Sequence, residues 1–251
     1  MDEFSRTGLL VGEEVLKKYK NAKVAVFGVG GVGGYVAEAL ARSGVGKLVL
    51  IDNDTVSVSN INRQIIALHS TIGRYKTEVM KERILDINPE ACVEVHNCFF
   101  LPENADLFDF SAFDYVVDAV DTVTAKIEII MRAKAAGVPV ISAMGAGNKL
   151  DATKFEITDI YKTKSCPLAK VMRKELRTRG VESLKVLYST EPAIKPCEQH
   201  GESDAKDGEQ SGDRQSTRRS TPGSIAYVPS VAGLLLAGEV LKDIAQNDIF
   251  A

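Results

Sequence analysis

KVAVFGVGGVGGYVAEALARSGVGKLVLIDND, residues 23–54, decides the fold. Its first five residues form an apolar run bounded by glycine, as a central parallel strand requires. Gly28, Gly30 and Gly33 then satisfy G-x-G-x-x-G. The first glycine permits the tight turn, the second lets backbone approach a phosphate, and the third lets the next helix pack on the strand. That helix is expected over residues 33–43, and its N-terminal N–H groups and dipole favour an anion. Gly31 and Gly34 leave the loop barer still. KLVLI, residues 47–51, reads as a second strand, and Asp52 at its end can hold a ribose hydroxyl. This order of elements is the build of a nucleotide site. A redox dinucleotide and ATP both fit it, and a turn Asp at a strand end is the plain alternative for Asp52.

The residues after Asp52 discriminate between the two nucleotides. A dehydrogenase normally returns promptly to a helix and a third strand. Here a polar excursion runs through Asp54 and Ser59-Asn60-Ile61-Asn62-Arg63-Gln64 to Gly73-Arg74-Tyr75-Lys76. Arg63 and Lys76 are the fixed cations that a triphosphate and a pentacovalent phosphorus need. A hydride-transfer site does not need them. Residues 77–88 carry a helical stripe of Val79, Met80, Ile84 and Ile87, stopped by Pro89. YVVDAV, residues 115–120, reads as a strand with Asp118 inside it and Asp121 just past its end. The crevice at strand ends is where α/β sheets bind ligands. Asp121 is therefore placed to hold Mg²⁺ against phosphates, since that ion takes hard oxygen ligands. The plainer role, N-cap of a helix starting near Thr122, is compatible with it.

Working outward, 251 residues at 45% apolar content can bury a sizeable core in one large domain. The expected fold class is α/β: a Rossmann-like ATP-binding fold over residues 1–150, its mostly parallel sheet extended by antiparallel strands in residues 151–251. FEITDIY, residues 155–161, is the alternating strand that suggests the extension. Cys92, Cys98, Cys166 and Cys197 form no C-x-x-C pair, so a cysteine zinc site has no support. Their scatter suits a reducing cytoplasm, no signal peptide is visible, and no apolar run approaches the roughly 20 residues of a membrane span. With a net charge of −3, nucleic-acid binding has to come from a local patch. One exists on the helix expected at 167–179, where Lys170, Arg173, Lys174 and Arg177 share a face at helical spacing. Leu168, Val171, Met172 and Leu176 lie opposite. A solvated face is the plain reading and a phosphate-backbone contact the functional one. Cys166, beside this basic segment, has no identifiable base partner. Residues 191–223 hold almost no large apolar residues and are expected to be a mobile loop, with Cys197 and His200 inside it. A small-residue helix, SVAGLLLAGEVLKDI, should then dock on the sheet. Residues 1–20 read as a helical lead-in, with Arg6 as ordinary solvated surface.

Together, GVGGVGG, LIDNDTVSVSNINRQ, GRYK and DAVDT resemble the ubiquitin-activating, E1-like superfamily of ATP-dependent adenylating enzymes. The run at 142–180, with YSTEP and GSIAYVPSVAG, is similar to its tRNA threonylcarbamoyladenosine dehydratase branch. The resemblance implies that Gly31 and the neighbouring Gly28, Gly30 and Gly33 cradle the triphosphate and that Asp52 binds the ribose. It implies that Asn60, Arg63 and Lys76 contact phosphates and the transition state, with Asp54, Gln64 and Thr122 completing the nucleotide site. Asp121 would hold Mg²⁺ or the adenine–phosphate end of ATP. A homodimer is implied as well, with Arg6 of FSRT reaching into the partner subunit's site. The implied substrate is an N6-threonylcarbamoyl group on a tRNA anticodon-loop adenosine, which gives the basic helix a ligand. A monovalent cation beside Mg²⁺, and a cysteine desulfurase or sulfur-acceptor system as a partner, also come into consideration. Two other readings stay open: an adenylating enzyme for the C-terminus of a sulfur-carrier or ubiquitin-like protein, and an NAD-binding oxidoreductase. Relatives that activate carrier proteins commonly have C-x-x-C zinc pairs, so their absence here favours a small carboxylate.

Overall fold

Apolar runs of four or five residues set the sheet. β1 (Lys23–Phe27), β2 (Lys47–Ile51), β3 (Cys92–His96), β4 (Tyr115–Asp118), β5 (Val140–Ala143), β6 (Phe155–Asp159) and β7 (Lys185–Ser189) lie in the order β3-β2-β1-β4-β5-β7-β6. These elements come from a computed structural model, which describes residues 2–195, 197 and 222–246. The pairings from β3 across to β7 are parallel, and β6 runs antiparallel to β7 at the edge. The α/β class is therefore as expected, with the antiparallel part confined to one edge strand.

Both faces of the sheet are covered, so its central strands are apolar throughout rather than alternating. Val24 and Val26 of β1 point into one core with α3 (Gly33–Arg42), α4 (Lys76–Ile87) and α7 (Tyr227–Ala245). Ala25 and Phe27 point into the other, with α5 (Val123–Ala135), α6 (Pro167–Thr178) and a cluster of phenylalanines in which Phe27 stacks on Phe110 at 5.6 Å. The chain winds from β1 outward to β3, then returns to the other side of β1 for β4. The switch point between β1 and β4 is where such sheets open a ligand crevice.

Local chemistry moves several boundaries from their expected places. The lead-in is two helices, α1 (Ser5–Val11) and α2 (Glu13–Asn21), broken at Gly12 with φ +78°. The strand expected at 155–161 stops at Asp159, whose carboxylate accepts the N–H groups of Tyr161 (2.8 Å) and Leu184 (3.0 Å) and so turns the chain. The docking helix α7 lies along α3 and is tied to the sheet by Lys185, which pairs with Glu239 and Asp243. Of the loop expected at 191–223, residues 196 and 198–221 lie outside the described residues, and His200 with them.

Glu38 ties α3 to α4. It is buried, and accepts from Arg42 Nε at 2.7 Å and from Arg83 Nε and Nη2 at 2.6 and 3.0 Å. Burial pushes its carboxyl up, but the hydrogen bonds from Arg83 and Arg42 outweigh burial and hold it below the ordinary value of 4.5. A depressed folded-state value means the stabilisation is present above about pH 4.5 and is lost as pH falls through the folded value. Glu38→Gln is expected to cost about 1–3 kcal/mol at neutral pH. It should also flatten the acid limb of stability measured by urea unfolding across pH. An unchanged acid limb would place the linkage elsewhere.

Candidate nucleotide site

The glycine turn is built by close approach. Gly28 has φ +87° and donates its N–H to Ile51 O at 2.8 Å, holding the end of β1 to the end of β2. A Cβ on Gly33 would lie 1.8 Å from Gly28 O, so only glycine lets α3 start this close to the strand. Gly28, Gly30, Gly31 and Val32, between β1 and α3, thereby line a cavity of about 580 Å³, a size typical of ligand pockets.

Carboxylates and cations are arranged around that turn by the polar excursion after β2. Asp52 is held at both oxygens: Oδ2 accepts Val29 N–H at 2.7 Å and Oδ1 accepts Asp54 N–H at 2.8 Å. Lys76 is buried, and its ammonium sits 2.6 Å from the half-exposed Asp54 carboxylate. Its backbone N–H also donates to Asp54 O at 3.0 Å, so the excursion is closed on itself at the base. Asn60 spends its side-chain oxygen on Ser57 N–H at 3.1 Å, which leaves its amide nitrogen for a ligand. Arg63 Nη1 is anchored on Ser59 O (2.8 Å) and Asn62 Oδ1 (2.9 Å). Among the described residues it has no carboxylate within ion-pair distance, so its charge is available to the cavity. Gln64 is buried and lines the cavity, and among the described residues its Oε1 has no donor. A buried acceptor without a partner is costly unless a ligand satisfies it.

Five strand ends contribute to the lining, and they do so in spatial order. Cys98 to Phe100 follow β3, Asp52 follows β2, Gly30 and Gly31 follow β1, Asp121 and Thr122 follow β4, and Ala146 and Gly147 follow β5. Residues 222–224 close the far wall. They are pinned by Gly223 N–H donating to Asn148 Oδ1 (2.6 Å) and Asn62 Nδ2 donating to Ser224 O (3.0 Å). Thus Gly28, Gly30, Gly31, Asp52, Asp54, Asn60, Arg63, Gln64, Lys76, Asp121 and Thr122, scattered over nearly a hundred residues of sequence, meet in one cavity. Asp121 does not cap α5. Thr122 holds the N-cap position without a side-chain cap bond, and the Thr122 hydroxyl reaches Asp121 Oδ1 at 3.4 Å.

Other residues singled out by the sequence lie elsewhere. Arg6 is exposed on α1 and does not line the cavity. On α6, Lys170, Lys174 and Arg177 are exposed, with the Arg177 guanidinium 5.2 Å from the Tyr161 ring centre. Arg173 differs: it is half-buried and donates to Thr163 O at 3.0 Å and to the Thr163 hydroxyl, so it braces the preceding loop. Val171, expected on the apolar face, is exposed, because α6 buries Ala169, Met172 and Leu176. Cys166 is buried in the core beneath α6. Two features went unread in the sequence. One is the Lys76–Asp54 pair. The other is a fully buried pair, Lys126–Asp118, which an Asp at the end of an apolar strand and a Lys just inside the next helix could have signalled.

The donor set fits a metal only in company with phosphates. Among the described residues no group of three or more His, Cys, Asp or Glu side chains is poised to hold an ion. Asp121 offers a carboxylate to the cavity, and Asp54 is engaged by Lys76. Mg²⁺ typically binds through one or two carboxylates plus substrate phosphates, and Asp121 with a triphosphate would satisfy that.

Four likenesses to known proteins bear on this geometry. The ThiF family model matches residues 4–250. The tRNA threonylcarbamoyladenosine dehydratase of Bacillus subtilis (strain 168) is 44% identical over 250 residues, spanning 98% of this chain and 96% of that protein. The crystal structure of Escherichia coli tRNA N6-threonylcarbamoyladenosine dehydratase in complex with ATP superimposes with a TM-score of 0.84 at 33% identity. It covers 98% of this chain and 94% of its own. The adenylyltransferase and sulfurtransferase UBA4 of Kluyveromyces lactis matches more narrowly, at 41% identity over 152 residues, 57% of this chain and 33% of that protein.

Proposed function

The chain belongs to the ThiF family, and on that premise we propose that it is an ATP-dependent tRNA threonylcarbamoyladenosine dehydratase working through an acyl adenylate. The observation that carries the reading is the convergence of Arg63, Lys76 and Asp121 on a glycine turn at the β1–β4 switch point. The likeness to the Bacillus subtilis enzyme runs nearly end to end, well beyond the part shared with the carrier-protein adenylyltransferase.

In this reading ATP lies along the strand ends, base toward Phe100, ribose on Asp52 and phosphates over Gly30 and Gly31. The threonylcarbamoyl carboxylate attacks the α-phosphate, and pyrophosphate leaves. Arg63, Asn60 and Lys76 offset the charge that builds on the phosphorus oxygens, as preorganised donors do in a dry site. Lys76 does so by exchanging Asp54 for phosphate. Asp121 would hold Mg²⁺, which supplies Lewis-acid stabilisation of phosphate oxygens when bound. The carbamoyl nitrogen then closes a ring on the activated carbonyl, and AMP is expelled. The closure is intramolecular and gains from proximity, so it needs no enzyme thiol. The reaction belongs in the cytoplasm, with tRNA and ATP.

The active form is proposed to be a homodimer. Arg6, Leu9 and Leu10 fall on one face of α1, and the two leucines are 87% and 80% exposed. That apolar face is suited to a partner subunit, with Arg6 delivered to the partner's phosphates. On α6, Lys170, Lys174 and Arg177 are assigned to the tRNA backbone, and Arg173 is assigned a bracing role. Lys170→Ala/Lys174→Ala is expected to weaken tRNA binding about tenfold near 0.1 M salt and to lower the slope of log affinity against log salt by about two. Adenylation kcat should be unchanged. Filter binding over a salt series reads this, and an unaltered slope would remove α6 from the interface.

ATP–pyrophosphate exchange separates the two adenylating readings. Exchange is expected with tRNA bearing threonylcarbamoyladenosine and absent with a sulfur-carrier or ubiquitin-like protein. Exchange driven only by such a protein would overturn the dehydratase.

A further inference from the structure

A fully buried ion pair brackets the loop that carries Asp121. Asp118 ends β4, Lys126 stands near the start of α5, and neither side chain has any exposure. Lys126 Nζ lies 3.1 and 3.0 Å from the two Asp118 oxygens, 2.7 Å from Ala143 O and 3.4 Å from Ser142 Oγ. The Ser142 hydroxyl donates to Asp118 Oδ2, and Val120 N–H donates to Asp118 Oδ1 at 3.3 Å. The two ends of segment 118–126 are thus fastened to each other. They are also fastened to β5, just before Ala146 and Gly147 enter the cavity wall. Between them the segment rests on the glycine turn. Ala119 N–H donates to Phe27 O at 2.8 Å, and a Cβ on Gly28 would lie 2.7 Å from Ala119 O. Neither Asp118 nor Lys126 lines the cavity.

Stability is a weak reason to keep such a pair. Removing two charges from water costs much of what their attraction returns, and apolar replacements are often as stable. What the pair supplies is direction: one ammonium aimed at four oxygen atoms on two adjacent strands leaves the loop one arrangement. We propose that Lys126 is a positioning residue for Asp121, and that the Lys126–Asp118–Ser142 network sets the 119–122 loop against the glycine turn for adenylation. The proposal rests on the adenylating reading of the cavity.

Charge-balanced substitution tests it. Lys126→Met alone leaves a buried carboxylate unpaired and should lower Tm sharply. Lys126→Met/Asp118→Asn removes both charges and should return Tm close to wild type. A positioning role predicts that the double variant still exchanges ATP and pyrophosphate at least tenfold more slowly at saturating ATP. Its Kd for a non-hydrolysable ATP analogue should stay within about twofold, because the network does not touch the nucleotide. Recovery of kcat together with Tm would overturn the proposal. If the double variant does not fold, Ser142→Ala decides. It removes one leg of the network and leaves the charges paired, so a threefold or larger loss of kcat at unchanged Tm supports positioning, and an unchanged kcat overturns it. Wild-type protein and Asp121→Ala are run alongside: no exchange by the wild type means that the adenylating reading has failed, full exchange by Asp121→Ala overturns the positioning proposal by removing its target, and an inactive Asp121→Ala beside a fully active double variant sinks the positioning role alone.

Discussion

Arg63→Ala is expected to abolish measurable adenylation while leaving the fold intact. Arg63 lines the cavity, is braced by Ser59 and Asn62, and meets no carboxylate among the described residues. A cation held this way needs no reorganisation when charge develops on phosphorus, which is the condition under which electrostatic stabilisation is most effective. Removing one such preorganised donor typically costs about 10²–10³-fold in kcat. Because Arg63 is half-buried and its side-chain hydrogen bonds among the described residues stay within its own loop, unfolding should be shifted little. Exchange kinetics beside a thermal melt check both halves. Near-normal kcat with raised KM would mean that Arg63 binds ATP and its transition state equally and serves only affinity.

Asp121→Ala should be comparably severe, at about 10²-fold or more, because the carboxylate proposed to hold Mg²⁺ is lost. Its only polar contact among the described residues is the 3.4 Å approach of Thr122, and it caps no helix, so the loss should be catalytic rather than structural. The same variant tests the shared site. In the proposed homodimer, where Arg6→Ala alone is expected to be inactive, an Arg6→Ala subunit would keep its own Asp121 and receive Arg6 from an Asp121→Ala partner. Mixing two inactive variants should therefore restore activity to about one quarter of the wild-type sites, given random pairing of subunits in a two-fold dimer. No recovery, with the mixed dimer shown to form, would confine Arg6 to its own subunit's surface.

The nucleotide half of the site was legible because it is local. A buried strand, a glycine turn and a helix start lie next to one another in sequence, and each glycine answers a steric demand of that turn. Asp52 and Asp121 were legible because strand ends form the crevice in this fold. The polar excursion was legible in kind but not in detail. Nothing in the spacing of Asp54 and Lys76 tells that a buried ammonium would be stored on that carboxylate, since the pairing depends on how the excursion folds back. The Pro222-Gly223-Ser224 wall was illegible for a similar reason, its place being set by long-range bonds to Asn62 and Asn148. The basic helix shows the limit of periodicity. Helical spacing put Arg173 on the solvent face with three other cations, but its place at the edge of that face let it reach Thr163 instead. Asp118 was read as part of a strand, and its pairing with Lys126 depends on α5 returning over β4 at the right height.

The protein is proposed to spend ATP on dehydrating a threonylcarbamoyl group on tRNA. Mass spectrometry of nucleosides from threonylcarbamoyladenosine-bearing tRNA, after incubation with the protein, ATP and Mg²⁺, tests it most directly. The expected result is conversion of that nucleoside to a cyclic product lighter by one water, with one AMP and one pyrophosphate formed per conversion and no conversion by Arg63→Ala. An unchanged nucleoside, from a protein that forms an acyl adenylate on a carrier protein's C-terminus, would contradict it.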